Sequence, residues 1–248
     1  YQGVEARKAY FFMGDAMVCM GSGIKAARTQ EVRTSVNQCL ANGEVTYGLS
    51  GHTYRLTNNL SDKNIDWAYH DNVGYIFPQN ESVTLRKAKQ TGAWRELEVT
   101  ASDKPVTKEI FSLWVSHGTT PQHEDYCYII MPDKPLSYFT DKKFENEIKI
   151  IVNSEQIQAI SNENKKQYAA VFYEPGEIRF AEDLVVAVNK KVIIYIEKKD
   201  KQYEIAVADP LYKEQSLQLS MNGEQINIVF PSGDYSGSSV IKHITEKH

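Results

Sequence analysis

Cysteine is scarce, positive charge is not in excess and long apolar runs are missing. Each shortage narrows what this chain can be. There are three cysteines, Cys19, Cys39 and Cys127. Their number is odd and their spacing fits no metal-ligand pattern, which leaves neither a dense disulfide framework nor a zinc knuckle. Each sits in an apolar or alternating run, where cysteine packs as a small hydrophobe. A Cys19–Cys39 bridge would require their strands to be neighbours. No run is long enough to span a bilayer. The formal net charge of -4 supplies no general attraction for nucleic acid or an anionic membrane, so neither is expected as a partner. No segment has the period of an amphipathic helix. Gly21-Ser22-Gly23 lacks the Lys-Ser/Thr ending and following helix of a phosphate loop. No serine stands in a nucleophile elbow. No signal peptide opens the chain, and Tyr1 is not an initiator, so a processed or excised piece of a longer precursor is expected.

What is present is globular composition, 42% hydrophobic and 24% charged over 248 residues. That length holds one large β domain or two ordinary ones. Ala9–Met13 and Ala16–Met20 read as a hairpin turning at Gly14-Asp15. Glu31–Leu40 alternates, with Val32, Thr34, Val36, Gln38 and Leu40 on one face and Arg33, Ser35, Asn37 and Cys39 on the other. Asn42-Gly43 is a hairpin-turn signal. Val73–Phe77 is a strand, with Trp67, Tyr69, His70 and Asp71 at its entrance.

Glu109–Pro132 organises the chain. Phe111, Leu113 and Val115 alternate with Ser112, Trp114 and Ser116. A polar loop over Gly118–Asp125 follows, and then Tyr126–Met131, apolar throughout, as in a strand buried on both faces. Two neighbouring strands of this kind belong in the middle of a sheet. Pro132–Asp141 reads as a linker. Beyond it come short strands with regular turns, the clearest hairpin closing at Asn222-Gly223. That spacing indicates a β-sandwich, and the tail from Ser232 reads as a frayed strand.

The chemistry is sparse. His117 and His123 flank one loop, but no third ligand stands at a diagnostic spacing, so neither metal nor cofactor is expected. Trp67 and His70 form one aromatic and imidazole group. Trp94 and Arg95, beside Lys87 and Lys89, form the densest basic-aromatic patch. Such groups stack on sugar rings and meet carboxylate or sulfate. Equally, both tryptophans fit core or inter-strand packing.

Several stretches in order carry a resemblance. They are ARKAYFFMGDAMVCMGSGI at Ala6–Ile24, EVRTSVNQ at Glu31–Gln38, WAYHDNVGYIFP at Trp67–Pro78, GAWRE at Gly92–Glu96 and EIFSLWVSHGTTPQHEDYCYIIMP at Glu109–Pro132. Together they resemble the non-catalytic β region of polysaccharide lyase family 8, the chondroitin, hyaluronate and xanthan lyases. AAVFYEPGEIRF and VIIYIEKKDKQYEIAVADP resemble, less specifically, that family's small C-terminal sandwich.

The resemblance implies an all-β fold. The latter part of an antiparallel, galactose-mutarotase-like super-sandwich would occupy residues 1–143, and a smaller C-terminal β-sandwich residues 144–248. It further implies a secreted or periplasmic parent enzyme, a carbon–oxygen lyase that cleaves chondroitin sulfate or hyaluronan by β-elimination. In that family an upstream α/α toroid supplies the catalytic Asn, His, Tyr and Arg, so no catalytic residue carries over to this chain, which alone should be inactive. The implied partners are an acidic polysaccharide and the toroid of the same precursor. Trp67, His70, Trp94, Arg95 and His117 are the candidate sugar contacts. The alternative is a stand-alone carbohydrate-binding β-sandwich.

Overall fold

A computed structural model describes residues 3–27 and 30–245. Two compact units emerge. One comprises residues up to 6, Gly14–Cys19 and Ile24–Lys143; the other comprises Arg7–Met13, Met20–Gly23 and residues from Phe144 on. Both are built from antiparallel sheets, as expected of an all-β chain.

The strands up to residue 132 are β1 (Val4–Met13), β2 (Ala16–Ala26), β3 (Arg33–Leu40), β4 (Thr46–Leu49), β5 (His52–Arg55), β6 (Leu60–Asp62), β7 (Ile65–His70), β8 (Val73–Ile76), β9 (Val83–Gly92), β10 (Val106–Ser116) and β11 (Glu124–Pro132). They form a seven-stranded sheet, β1-β2-β11-β8-β7-β4-β5, and a four-stranded sheet, β3-β10-β9-β6. Phe111, Leu113, Val115, Val83 and Leu85 from the smaller sheet share one buried cluster with Cys19, Ala68, Tyr75, Tyr126 and Tyr128 from the larger. This is sheet-on-sheet packing across inward-facing alternate residues.

Tyr126 to Ile129 and Met131 are all buried, so β11 is covered on both faces, as its unbroken apolar run requires. The two central strands are not neighbours, however. β10 lies between β3 and β9, and β11 between β2 and β8, each interior to its own sheet. Asn42-Gly43 likewise closes no hairpin, because β3 pairs with β10 while β4 joins the other sheet.

The alternation read in β3 fails halfway. A bulge opposite Leu113/Trp114 breaks the register: Trp114 pairs with Ser35 and Leu113 with Asn37. One extra residue reverses the faces beyond it. Asn37 and Cys39 therefore turn inward with Leu113 and Phe111, and Gln38 and Leu40 turn outward.

The expected linker contains a helical turn, α1 (Leu136–Thr140). Phe139 on it is fully buried and anchors the segment 5.4 Å from Tyr69.

The second unit carries β12 (Lys149–Asn153), β13 (Ile157–Asn162), β14 (Gln167–Phe172), β15 (Gly176–Ala181), β16 (Leu184–Val188), β17 (Val192–Lys199), β18 (Gln202–Ala208), β19 (Ser216–Met221), β20 (Glu224–Val229) and β21 (Val240–Thr245). A six-stranded sheet, β12-β13-β14-β17-β18-β21, and a four-stranded one, β15-β16-β19-β20, enclose a second core around Ile194, Ile205, Leu184 and Leu219. Asn222 and Gly223 both have positive φ, 50° and 85°, and join Met221 to Glu224 as a two-residue hairpin. Among the described residues the tail from Ser232 ends in a paired strand and not a frayed one: β21 pairs with β18 from Val240 to Thr245.

Candidate functional site

The segment before Val73 is a strand, not a loop mouth. Asp71 and Asn72 both have positive φ, 51° and 61°, and close a tight hairpin in which His70 faces Val73. Trp67 and His70 are three residues apart on β7, so they point to opposite faces of the sheet.

Trp67 is 2% exposed. Its ring lies 6.0 Å from that of Phe139 and covers Gly48, where a Cβ would come within 2.3 Å of the indole Nε1. His70 is 1% exposed and lies in the sandwich core, with its ring 4.7 Å from Phe111 and Nδ1 3.6 Å from Cys39 Sγ. Its Nε2 is buried without a hydrogen-bond partner. Burial holds the imidazole below the usual histidine range, so the ring is neutral at pH 7. Neither residue presents a face to solvent, because the burial pattern of β7 takes both inside.

His117 is 8% exposed. Its Nε2 and Thr34 Oγ1 are 2.8 Å apart, and its backbone N–H donates to the Val32 carbonyl. It ties the end of β10 to β3. Lys63, Ser116, Glu124 and Asp125 line a pocket beside it, together with Glu81. Among the described residues no group of three or more His, Cys, Asp or Glu could hold a metal ion.

Trp94 and Arg95 sit on the connection between β9 and β10. Trp94 is 61% exposed. A short 3-10 turn, Trp94–Glu96, is held by Glu96 Oε1, which accepts the Ala93 N–H at 2.9 Å. The Arg95 Nε donates to the Ala101 carbonyl at 3.3 Å. With Leu97 and Val106, Trp94 lines an apolar depression. The β9–β10 ladder pairs Val106 with Gly92 at this end and Val115 with Val83 at the other. At ~3.3 Å per residue that separates Trp94 from His117 by about 30 Å. The candidate residues therefore do not converge on one site.

A groove that the sequence pattern foreshadowed only in part lies on the outer face of the four-stranded sheet. Arg33, Ser35, Gln38, Arg86, Gln90, Ser112 and Trp114 line it. The Arg33 guanidinium stacks over Trp114 at 4.6 Å, within cation–π range. Its Nε also donates to Glu31 Oε2 at 2.6 Å. The Glu31 carboxyl is pulled below its usual range by Arg33 first and by the Ser116 hydroxyl second. The sequence signal was the alternation of Trp114 with two serines; the bulge in β3 hid which residues would join it.

Known proteins bear on this fold. Residues 1–143 match "Polysaccharide lyase family 8, super-sandwich domain" and residues 149–218 match "Polysaccharide lyase family 8, C-terminal beta-sandwich domain". Chondroitinase-AC of Pedobacter heparinus is 30% identical over 97% of this chain and 35% of its own length. A hyaluronate lyase of Thermasporomyces composti is 24% identical, over 91% of this chain and 29% of its own length. A solved structure of chondroitinase AC lyase in oligosaccharide complexes superposes with a TM-score of 0.90 at 27% identity, covering 98% of this chain and 37% of that one. The chain spans about a third of the length of these relatives. By the match over more than half of its residues, the chain belongs to polysaccharide lyase family 8.

Proposed function

We propose that this chain is the β portion of a secreted or periplasmic lyase that cleaves uronic-acid-containing glycosaminoglycans, chondroitin sulfate or hyaluronan, by β-elimination. The supporting observation is likeness to Chondroitinase-AC along almost the whole chain, 30% over 97%. A polymer of this size does not cross a membrane, so its lyase works outside the cytoplasm. In this reading a base removes the proton at C5 of the uronate, its carboxylate is neutralised, and the bond to the oxygen on C4 breaks to leave an unsaturated sugar. Those steps need a base, an acid and an electrostatic partner within hydrogen-bond reach. The reading assigns them to an upstream helical toroid, and gives this chain the role of supporting that toroid and lining the cleft. Trp94 and Arg95, exposed on one loop, are its candidate sugar contacts.

The test is the ultraviolet absorbance of unsaturated uronate. This chain alone, given chondroitin sulfate or hyaluronan, should release none. Joined to its upstream helical segment it should release product from at least one of them. Product from the chain alone would mean that it holds a complete site. Silence from the longer protein on both polymers would move the reading to a stand-alone carbohydrate-binding β-sandwich.

A further inference from the structure

We propose that the outer face of the four-stranded sheet binds an anionic polysaccharide, with Arg86 as the anion receptor. Two rows of side chains cross this face. Gln38 pairs with Ser112 and Ser112 with Arg86, which sets one row across three strands. Ser35, Trp114, Thr84 and Ser61 set the next across all four. With strands ~4.8 Å apart and like-facing residues about 7 Å apart along a strand, the two rows frame a polar patch roughly 10 Å by 7 Å.

The chemistry of this patch differs from that of an ordinary solvated face in two ways. Arg86 is exposed, and its guanidinium has no hydrogen-bond or ion-pair partner among the described residues. Its neighbour Arg33 is by contrast neutralised by Glu31. The second difference is Trp114, whose indole Nε1–H is shielded from solvent and has no hydrogen-bond partner. An unpaired guanidinium offers a planar fork that fits a carboxylate or a sulfate ester with two parallel hydrogen bonds. The Gln38 and Gln90 amides and the Ser35 and Ser112 hydroxyls, which line the same groove, match sugar hydroxyls. A ligand with both an anion and a row of hydroxyls satisfies the whole set, and an acidic polysaccharide is that ligand. A face packed against another sheet would be apolar; this one is lined by arginine, glutamine and serine side chains. Only the choice of polymer rests on the function proposed above.

The test is binding of the 248-residue chain to chondroitin sulfate, hyaluronan and dextran, by retardation in polymer-containing gels and by titration calorimetry. The expected result is retention on at least one acidic polymer and none on dextran. Arg86→Gln should weaken that binding at least about fivefold, the loss of one charge-assisted bidentate contact. Arg86→Lys should restore part of it, and Lys242→Gln, exposed on β21 of the second unit, should leave it unchanged. Retention on hyaluronan would assign the anion to carboxylate; retention on chondroitin sulfate alone would assign it to sulfate. Circular dichroism confirms that each variant is folded. Unchanged binding by a folded Arg86→Gln variant, or equal retention on dextran, overturns the proposal, as does no retention at all. These results are independent of elimination activity: a longer protein that makes no unsaturated product would undo the lyase reading and leave binding at Arg86 standing.

Discussion

Glu81 Oε1 accepts the backbone N–H of Cys127 at 2.7 Å, and this contact places a carboxyl that is 7% exposed against β11, an interior strand of the larger sheet. Burial raises the Glu81 pKa to about 7, Asp125 and Glu124 add to the rise, and the Cys127 N–H offsets part of it. The sign follows from linkage. A carboxyl whose folded pKa lies above its unfolded value binds its proton more tightly when folded. Its contribution is fully present below about 4.5 and is lost as the pH climbs through about 7. Between pH 5.5 and pH 8 this group should cost the fold about 2 kcal/mol. Asp125, whose pKa burial also raises, acts in the same direction. Glu81→Gln keeps an oxygen for the Cys127 N–H and carries no charge. Urea midpoints at the two pH values should therefore differ less in the variant than in the parent. An undiminished difference would remove Glu81 as its source.

Gly74 and Phe139 are matched by shape. A Cβ at Gly74 would fall 1.9 Å from Phe139 Cζ, closer than any repacking of a buried ring can relieve. Gly74→Ala should therefore cost about 2–4 kcal/mol, and Phe139→Ala about 3–5 kcal/mol by leaving a cavity. The two losses share one cause, so the double variant should be far less unstable than their sum. Thermal melts of the four proteins close the cycle, and additive losses would mean that the α1 anchor and β8 do not meet.

The sequence was informative where one face of a strand met one environment. Tyr126–Met131 could be read as buried on both faces because nothing polar interrupts it, and Asn222-Gly223 because only such a pair closes a two-residue hairpin. It misled where geometry depends on a partner strand. The bulge that turns Asn37 and Cys39 inward is set by β10 and leaves no mark in residues 33–40. Trp67 and His70 look like one group in sequence, yet a strand sends them to opposite faces. The sheet-face groove was half legible. Its polar alternation along β10 was visible, but the strands that bring Gln38 and Arg86 to either side of Ser112 are far apart in the chain.

Three thiols should separate cleanly by reactivity. Burial raises the pKa of both Cys19 and Cys127, most strongly that of Cys127. The thiolate is the nucleophile, so both should resist alkylation. Cys39 is only partly buried and receives the Asn37 side-chain amide at 3.4 Å. Iodoacetamide on the native chain should therefore add one label, at Cys39, with two more taken up only in denaturant. Mass spectrometry of the labelled peptides locates them. A native label on Cys127 would contradict its place inside the sheet.

Asp209 holds the turn after β18 by itself. Its Oδ1 accepts the Leu211 N–H at 2.9 Å, and its Oδ2 accepts those of Lys213 and Glu214 at 2.7 and 2.8 Å. Burial alone would raise the carboxyl, but the three backbone donors, with Lys213 nearby, outweigh it and leave the pKa below the usual range. A folded pKa below the unfolded one means that stability is present above the unfolded value and lost as the pH falls through the folded one. Asp209→Ala removes the acceptor of three donors in a turn where Leu211 and Lys213 are themselves exposed, so water replaces part of the loss and the cost should be about 1–2 kcal/mol at pH 7. Asp209→Asn should cost less, because one oxygen remains, though its amide must face a backbone donor. As the pH drops below about 3.8, protonation removes part of what the parent holds over either variant, and the gap should narrow. Urea midpoints of the three proteins at neutral and acid pH decide it. A gap that stays constant would mean that the turn is held by packing around Asp209 and not by its charge.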